Sequence, residues 1–143
     1  MADVTWTPAS TKVTSSTAVE HGVAGATIAP MDVVYLDASD GEYKLADASA
    51  AATAVVRGIA LHTSLDGQPL AIATGGNLTM AITNSTVDPS QLCVLSATAG
   101  KITTVGDLVA GNFTTIIGAT TTATNLNIDI HVFAATALTT SIT

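Results

Sequence analysis

Aromatic residues, basic residues and cysteines are scarce in this chain, and each shortage argues against a class of structure or function. Aromatic residues make up 3% of the 143 residues, too few to line the kind of cleft in which proteins usually stack sugars. The single cysteine, Cys93, cannot form an intrachain disulfide. It lies in the apolar run 91–95. We interpret it as a small buried residue, because no neighbour in the sequence supplies a base or a cation that would activate a thiolate.

Positive charge is also scarce. Four lysines and arginines stand against eleven acidic residues, which gives a net charge of −7. The four cations are scattered along the chain: Lys12, Lys44, Arg57 and Lys101. Nucleic acids and anionic membranes are bound through clustered basic side chains, so we expect neither of them as a partner.

Long apolar runs are missing as well, although the mean hydropathy is +0.50. Threonine, aspartate, glycine or proline interrupts every apolar stretch well before the ~20 residues that a membrane-spanning helix needs. The first residues show no basic region followed by an apolar core, so the sequence predicts no secretion signal.

No motif for catalysis or metal binding is present. The chain has no phosphate-binding glycine loop, no nucleophile elbow and no His-Glu-x-x-His sequence. The three histidines are far apart and have no ligand spacing: His21, His62 and His131. The acidic cluster of Asp37, Asp40 and Glu42 lacks the pattern of a calcium-binding loop, and we interpret it as a solvated turn. We therefore expect no enzyme activity, cofactor, metal or small-molecule substrate.

The residues that are present favour strands. Short apolar or alternating runs are separated by turn residues, a pattern typical of a half-buried sheet. The clearest runs are 32–36, 42–45, 55–61, 70–74 and 78–82. The pair Asp40-Gly41 predicts a tight turn between the first two runs, and the alanine-rich stretch 47–53 predicts a helical turn or short helix. We predict an all-β fold, either a compact β-barrel or a β-sandwich.

The second half of the sequence repeats the order of the first. Four pairs of landmarks support this: Pro30 with Pro89, Gly41 with Gly100, Gly58 with Gly118, and 70–72 with 126–128. The first two pairs have the same spacing, the third is one residue longer, and the fourth follows a shortened loop. Such self-similarity indicates duplicated strand–turn units. We predict two similar modules, about 28–80 and 87–138, within a β-domain that spans 22–143.

Residues 1–21 are polar and rich in threonine and serine, and they predict an extended N-terminal arm. Val4, Trp6 and Pro8 are our candidate contact residues for another subunit, because tryptophan is enriched in the energetic centres of interfaces. The alternative is that Trp6 covers the core of its own domain. The tail after Leu138 is a second candidate contact.

A resemblance to a known family rests on four stretches of the first half. They are 25–37, which ends an apolar strand in Tyr-Leu, then 41–48, 57–61 with Gly-Ile-Ala-Leu, and 66–70 with Gly-Gln-Pro. In these stretches the chain resembles the small head-decoration or capsid cement proteins of tailed bacteriophages and related proteins of prophages. The resemblance covers about residues 22–80, and the second half matches only in outline, through 94–100.

The resemblance implies a structural role without an enzymatic step. Proteins of this family bind the outer surface of an assembled capsid, commonly as trimers, and clamp neighbouring major capsid subunits. It implies a homotrimer bound to the major capsid protein and a location on the outer capsid surface of the virion, assembled in the host cytoplasm. Two alternatives stay open. One is a binding module, either a head-fibre or spike base or a surface module that binds a glycan or receptor. The other is a small hydrolase.

Overall fold

A computed structural model describes residues 6–13, 17–82, 92–104, 110–122 and 125–133. Within these ranges the chain forms ten β-strands and no helix. The strands are Trp6–Val13 (β1), Ala18–Val23 (β2), Val33–Asp37 (β3), Glu42–Leu45 (β4), Val56–Ala60 (β5), Pro69–Ile82 (β6), Leu92–Leu95 (β7), Ile102–Thr104 (β8), Thr114–Thr122 (β9) and Asn125–Phe133 (β10). They form one curled antiparallel sheet, and the prediction of an all-β fold of the barrel or sandwich kind is confirmed.

The order of the strands is the same in the two halves of the chain. Across the sheet it runs β4-β3-β5-β6-β10-β9-β7-β8, so each half contributes a hairpin, a third strand paired to that hairpin, and a long fourth strand. We call β3, β4, β5 and residues 69–75 of β6 the first module, and β7 to β10 the second module. The module boundaries inferred from the sequence stay a prediction, since they extend into residues that the structure does not describe.

Corresponding residues of the modules follow from the strand pairing. Val34 stands opposite Gly58 in the first module, and Cys93 stands opposite Gly118 in the second. In both modules the register shifts by one residue next to this pair. Such a bulge increases the local twist of a strand, and its repetition helps both modules of the sheet to curl in the same way.

The turns of the two hairpins also correspond. Gly41 in the β3–β4 turn has φ 74° and Gly100 in the β7–β8 turn has φ 77°. This left-handed conformation is readily adopted only by glycine. The requirement for glycine explains why both halves of the sequence have a glycine at the corresponding position of this turn.

One sequence-based expectation needs correction. The fourth landmark paired 70–72 with 126–128, but Ala60 stands opposite Ile72 and its counterpart Thr120 stands opposite Leu126. Leu126 therefore corresponds to Ile72, two residues further along β6. The stretch 47–53 contains no helix, but the Ala54 amide donates to the Ala50 carbonyl at 3.1 Å, so it ends in a helical turn, the first of the two predicted alternatives.

The N-terminal strands belong to the sheet. β1 pairs antiparallel with the C-terminal part of β6, and β2 pairs with its N-terminal part, Pro69 to Gly75. β2 runs across the boundary predicted between arm and domain. After β2, Ala24 forms a parallel bridge with Tyr43, and the amide of Gly25 donates to the Tyr43 carbonyl at 2.7 Å. The strands β2, β6, β5, β3 and β4 thereby close into a ring.

The apolar core of the described ranges consists of two clusters. One lies inside the ring of the first module: Ala24, Ile28, Val34, Tyr43, Ala60, Leu70 and Ile72. The larger cluster joins the modules, because it includes Val33 and Ile59 of the first module together with Cys93 and Leu126 of the second. The sheet of the first module is therefore covered on both faces.

Candidate contact surfaces

The contact residues predicted on the arm fall at the start of β1. Trp6 pairs with Ile82 and the next residue, Thr7, pairs with Ala81, so Trp6 and Pro8 lie beside the C-terminal end of β6. Val4 and the tail after Leu138 lie outside the described residues. The structure thus attaches Trp6 and Pro8 to the sheet through the backbone of β1, and their role in contacts stays a prediction.

A network of three polar side chains lies where the ring of the first module closes. The Tyr43 hydroxyl donates to Glu20 Oε1 at 2.8 Å. Arg57 donates to the same carboxylate through Nη2 at 2.9 and 3.0 Å and through Nε at 3.2 Å. Hydrogen bonds from Tyr43 and then from Arg57 lower the pKa of Glu20 below its usual value, while burial and the adjacent Glu20 raise the pKa of Tyr43.

This network ties three strands together. Glu20 lies in β2, Tyr43 in β4 and Arg57 in β5. The Glu20 carboxylate therefore connects β2 to both β4 and β5. The Tyr43 ring is buried over Gly22, where a Cβ would meet ring atom Cε2 at 2.2 Å. Sequence reasoning did not identify this arrangement, because nothing in the sequence shows which residues meet when a sheet closes on itself.

The acidic hairpin tip is held together by its own lysine. Lys44 Nζ lies 2.7 Å from Asp37 Oδ2 and 2.8 Å from Asp40 Oδ2. The other carboxylate oxygens accept backbone hydrogen bonds, from Ser39 at 2.9 Å and from Glu42 at 3.0 Å. The Lys44 ammonium is the largest cause that lowers the pKa of both aspartates, and they in turn raise the pKa of Lys44. The carboxylates of Asp37 and Asp40 therefore find their partners within the turn itself.

These shifts predict that the fold loses stability in acid. A carboxylate with a lowered pKa stabilises the folded state above its unfolded pKa of about 4, and this stabilisation disappears as the pH falls through the folded pKa. We expect the melting temperature of the chain to fall as the pH is lowered from 5 to 2. Thermal unfolding followed by circular dichroism at each pH measures this.

The variant Lys44→Met tests the cause. Without the ammonium, the two aspartates lose their main reason for a lowered pKa, so the decrease in melting temperature below pH 5 should be shallower than in wild type. Lys101→Met is the comparison, because it removes a lysine of the other module that has one longer contact, 3.4 Å from Nζ to Asp32 Oδ1, in place of two short ones. An equal acid slope in all three proteins contradicts the assignment.

Cys93 and the histidines form no reactive centre in the described part of the chain. Cys93 is buried as predicted, and burial raises its pKa to about 11, so its thiol is protonated at neutral pH. His62 Nε2 accepts a hydrogen bond from the amide of Ala71 at 3.0 Å. His131 Nε2 lies 3.2 Å from Asp129 Oδ1. Among the described residues, no three histidine, cysteine or acidic side chains are grouped as metal ligands.

A shallow groove runs across the outward face of the second module. It has a volume of about 240 Å³ and is lined by residues of β7, β9 and β10: Leu92, Ile116, Gly118, Ala119, Asn127, Asp129 and His131. Leu92 at the edge of the groove is 41% exposed. An apolar side chain within a partly polar groove is typical of a contact surface.

The comparisons with known proteins do not assign this chain to a family. No protein-family model matches it, and no curated protein matches it significantly. In the described ranges, no helix has the length and apolar character required to cross a membrane.

Proposed function

We propose that this chain is a non-enzymatic structural protein that binds the outer surface of a phage capsid and stabilises it by clamping adjacent major capsid subunits. It acts as a homotrimer on the virion exterior, after assembly in the host cytoplasm. The observation that carries the proposal is the resemblance of the stretches within residues 22–80 to phage capsid cement proteins.

The positions of the motif residues support this proposal. Val33, Tyr43 and Ile59 are buried in the core, and Gly41 and Gly58 occupy positions where the backbone requires glycine. The shared stretches therefore specify a scaffold, and a scaffold is what a family without a catalytic motif would have in common. Arg57, which begins one of the shared stretches, donates to Glu20, and Glu20 also accepts from Tyr43 of another shared stretch.

Stabilisation by such a protein follows from mass action. A partner that binds the assembled shell and not its separated subunits shifts the equilibrium towards the shell. Each cement protein that spans two capsid subunits adds its binding free energy to their contact, and the symmetry of the shell repeats this gain at every equivalent position. Few charged side chains on the chain reduce the cost of removing water from the contact.

The experiment uses capsids that lack this protein. Purified chain is added to them, bound copies are counted by cryo-electron microscopy, and the temperature of DNA release is measured. We expect saturable binding on the outer surface and a higher release temperature. Absence of binding, or equal binding to unassembled major capsid protein, contradicts the proposal.

The arm contact is tested by Trp6→Ala. Removal of an interface tryptophan commonly costs about 2 kcal/mol or more, so the affinity for capsids should fall at least about tenfold. Substitution is preferable to deletion of residues 1–12, because the deletion removes most of β1 from its pairing with β6. Thr7→Ala, at the next position of β1, is the matched control and should bind like wild type. Unchanged capsid occupancy of Trp6→Ala, with an unchanged melting temperature, contradicts the arm contact.

A further inference from the structure

The two modules contact each other through different surfaces. The first module contributes one face of its sheet, which includes Val33, Ile59 and Ala73. The second module contributes Cys93 and Leu126, which lie on its opposite face. The residues of the first module that correspond to Cys93 and Leu126 are in the other core cluster, inside the ring. The contact between the modules is therefore heterologous, with a different surface from each.

The β7–β8 hairpin of the second module provides the polar part of this contact. The Gly100 carbonyl accepts from the Val33 amide at 2.9 Å, and the Gly100 amide donates to the Ala46 carbonyl at 2.7 Å. On the other side of the turn, the Ala48 amide donates to the Ser96 carbonyl at 3.0 Å. The hairpin is fixed to the edge of the first module by these backbone hydrogen bonds.

The corresponding face of the second module is exposed. Val33, Ile59 and Ala73 are fully buried, whereas their counterparts form the groove on β7, β9 and β10. These counterparts are Leu92, Ala119 and Asn127. Leu92 lies one position from the buried Cys93 in the same apolar run, yet it points away from the core.

The corresponding hairpin of the first module is exposed too. Leu95 is fully buried between the modules, and its counterpart Leu36 is 45% exposed. A Cβ on Gly100 would lie 3.0 Å from the Leu45 side chain, but a Cβ on Gly41 would meet no atom within 4 Å. The first module thus leaves only the hairpin part of the contact exposed, since its counterparts of Cys93 and Leu126 are buried inside the ring.

We propose that the groove of the second module binds the β3–β4 hairpin of a second copy of this chain, repeating between copies the hairpin part of the contact that joins the modules within one. Leu92 takes the place of Val33 and the turn at Gly41 takes the place of Gly100. Because the contact is heterologous, it propagates from copy to copy and is completed when a ring closes. The contact is a property of the free chain and does not depend on a capsid.

Sedimentation of the purified chain without capsids tests the proposal. We expect a species larger than a monomer at tens of micromolar, and Leu92→Asp should shift it to monomer because it places a charge in the apolar part of the contact. Leu65→Asp is the matched control, since Leu65 is 53% exposed in the β5–β6 turn and should leave the association unchanged. Circular dichroism verifies that both variants are folded.

A disulfide identifies the occupant of the groove. Asp40→Cys and Leu92→Cys are made as separate proteins and mixed under oxidising conditions. Within one chain, Gly100 accepts from Val33, and Ala99 is the residue before Gly100. Asp40 corresponds to Ala99 and Leu92 corresponds to Val33. The mixture should therefore form a disulfide-linked dimer between the two variants. Each variant alone is the control, and the buried Cys93 is common to all.

Three outcomes overturn the proposal. The first is a wild-type chain that stays monomeric up to millimolar concentration. The second is an oligomer that Leu92→Asp leaves intact, because the groove is then outside the interface. The third is dissociation by Leu92→Asp without a disulfide in the mixture, because the hairpin is then not the occupant. The first outcome also contradicts the proposed homotrimer, but attachment to capsids is measured in a separate experiment, so failure here is distinguishable from failure of the capsid role.

Discussion

Gly118→Ala is expected to destabilise the fold more than any other glycine-to-alanine substitution in the described chain. A Cβ at this position would lie 2.0 Å from the Asn127 carbonyl oxygen and 3.0 Å from its carbon. Both atoms belong to the backbone of β10, which is paired on its two sides with β9 and β6, so it cannot move without breaking pairs. Overpacking of this kind costs about 3 kcal/mol or more.

Gly58→Ala should also destabilise the fold, by less than Gly118→Ala. Its Cβ would lie 2.5 Å from the Ala73 carbonyl oxygen, and Ala73 corresponds to Asn127 in the second module. Both modules therefore bring a glycine of the third strand against a carbonyl of the fourth. Gly75→Ala is the control, because its nearest neighbour would be the Ala18 Cβ at 3.9 Å. There the lower entropy of the unfolded alanine chain should leave stability unchanged or raise it by about 0.5 kcal/mol.

Urea unfolding followed by circular dichroism measures the three free energies of unfolding. The expected order of stability is Gly75→Ala, then Gly58→Ala, then Gly118→Ala. If Gly118→Ala lies within about 1 kcal/mol of wild type, or if the control loses as much as Gly58→Ala, the close approach of the strands is wrong.

The glycine landmarks could be predicted from the sequence because each requirement is local. Gly41 and Gly100 are needed by their own turns, and Gly58 and Gly118 by the strand directly beside them. A requirement of this kind fixes one residue type at one position, so it survives in a duplicated sequence even when the surrounding residues differ. The presence of short strands was predictable for the same reason, from alternation within each run.

The position of the fourth landmark could not be fixed in this way. Side chains alternate between the faces of a strand with a period of two, so a shift by two residues preserves the whole pattern. Leu70 and Ile72 are both buried, and both fit the alternation that Leu126 shows. Only the pairing of Thr120 with Leu126 and of Ala60 with Ile72 decides between them.

The candidate surfaces were less predictable than the fold. Leu92 and Cys93 belong to one apolar run, and no pattern in that run indicates that the first is exposed and the second buried. Glu20, Tyr43 and Arg57 are far apart in sequence, and they meet only because β2 closes the ring. Contacts between distant segments are set by the path of the chain, which local patterns do not encode.

The closure of the first module's strands into a ring predicts a second large loss of stability, from a substitution at Gly22. Gly22→Ala would place a Cβ 2.2 Å from Cε2 and 2.9 Å from Cδ2 of the Tyr43 ring. Tyr43 is only 3% exposed, so its aromatic ring has no room to move within the core. It must leave its site and give up the hydrogen bond to Glu20, at a cost of about 2–4 kcal/mol.

Two changes at position 43 separate the ring from its hydroxyl. Tyr43→Phe removes the hydrogen bond and keeps the ring, so in this background the cost of Gly22→Ala should fall only by the contribution of that hydrogen bond, about 1 kcal/mol. Tyr43→Leu also removes the ring atoms that the new Cβ would meet, so there the cost of Gly22→Ala should be lower than in the Tyr43→Phe background by at least about 1 kcal/mol. Urea unfolding of the single and double variants gives both coupling energies. The same cost of Gly22→Ala in the phenylalanine and leucine backgrounds would mean that the side chain of residue 43 does not lie against Gly22. The contact with Tyr43 would then not explain why β2 has a glycine at this position.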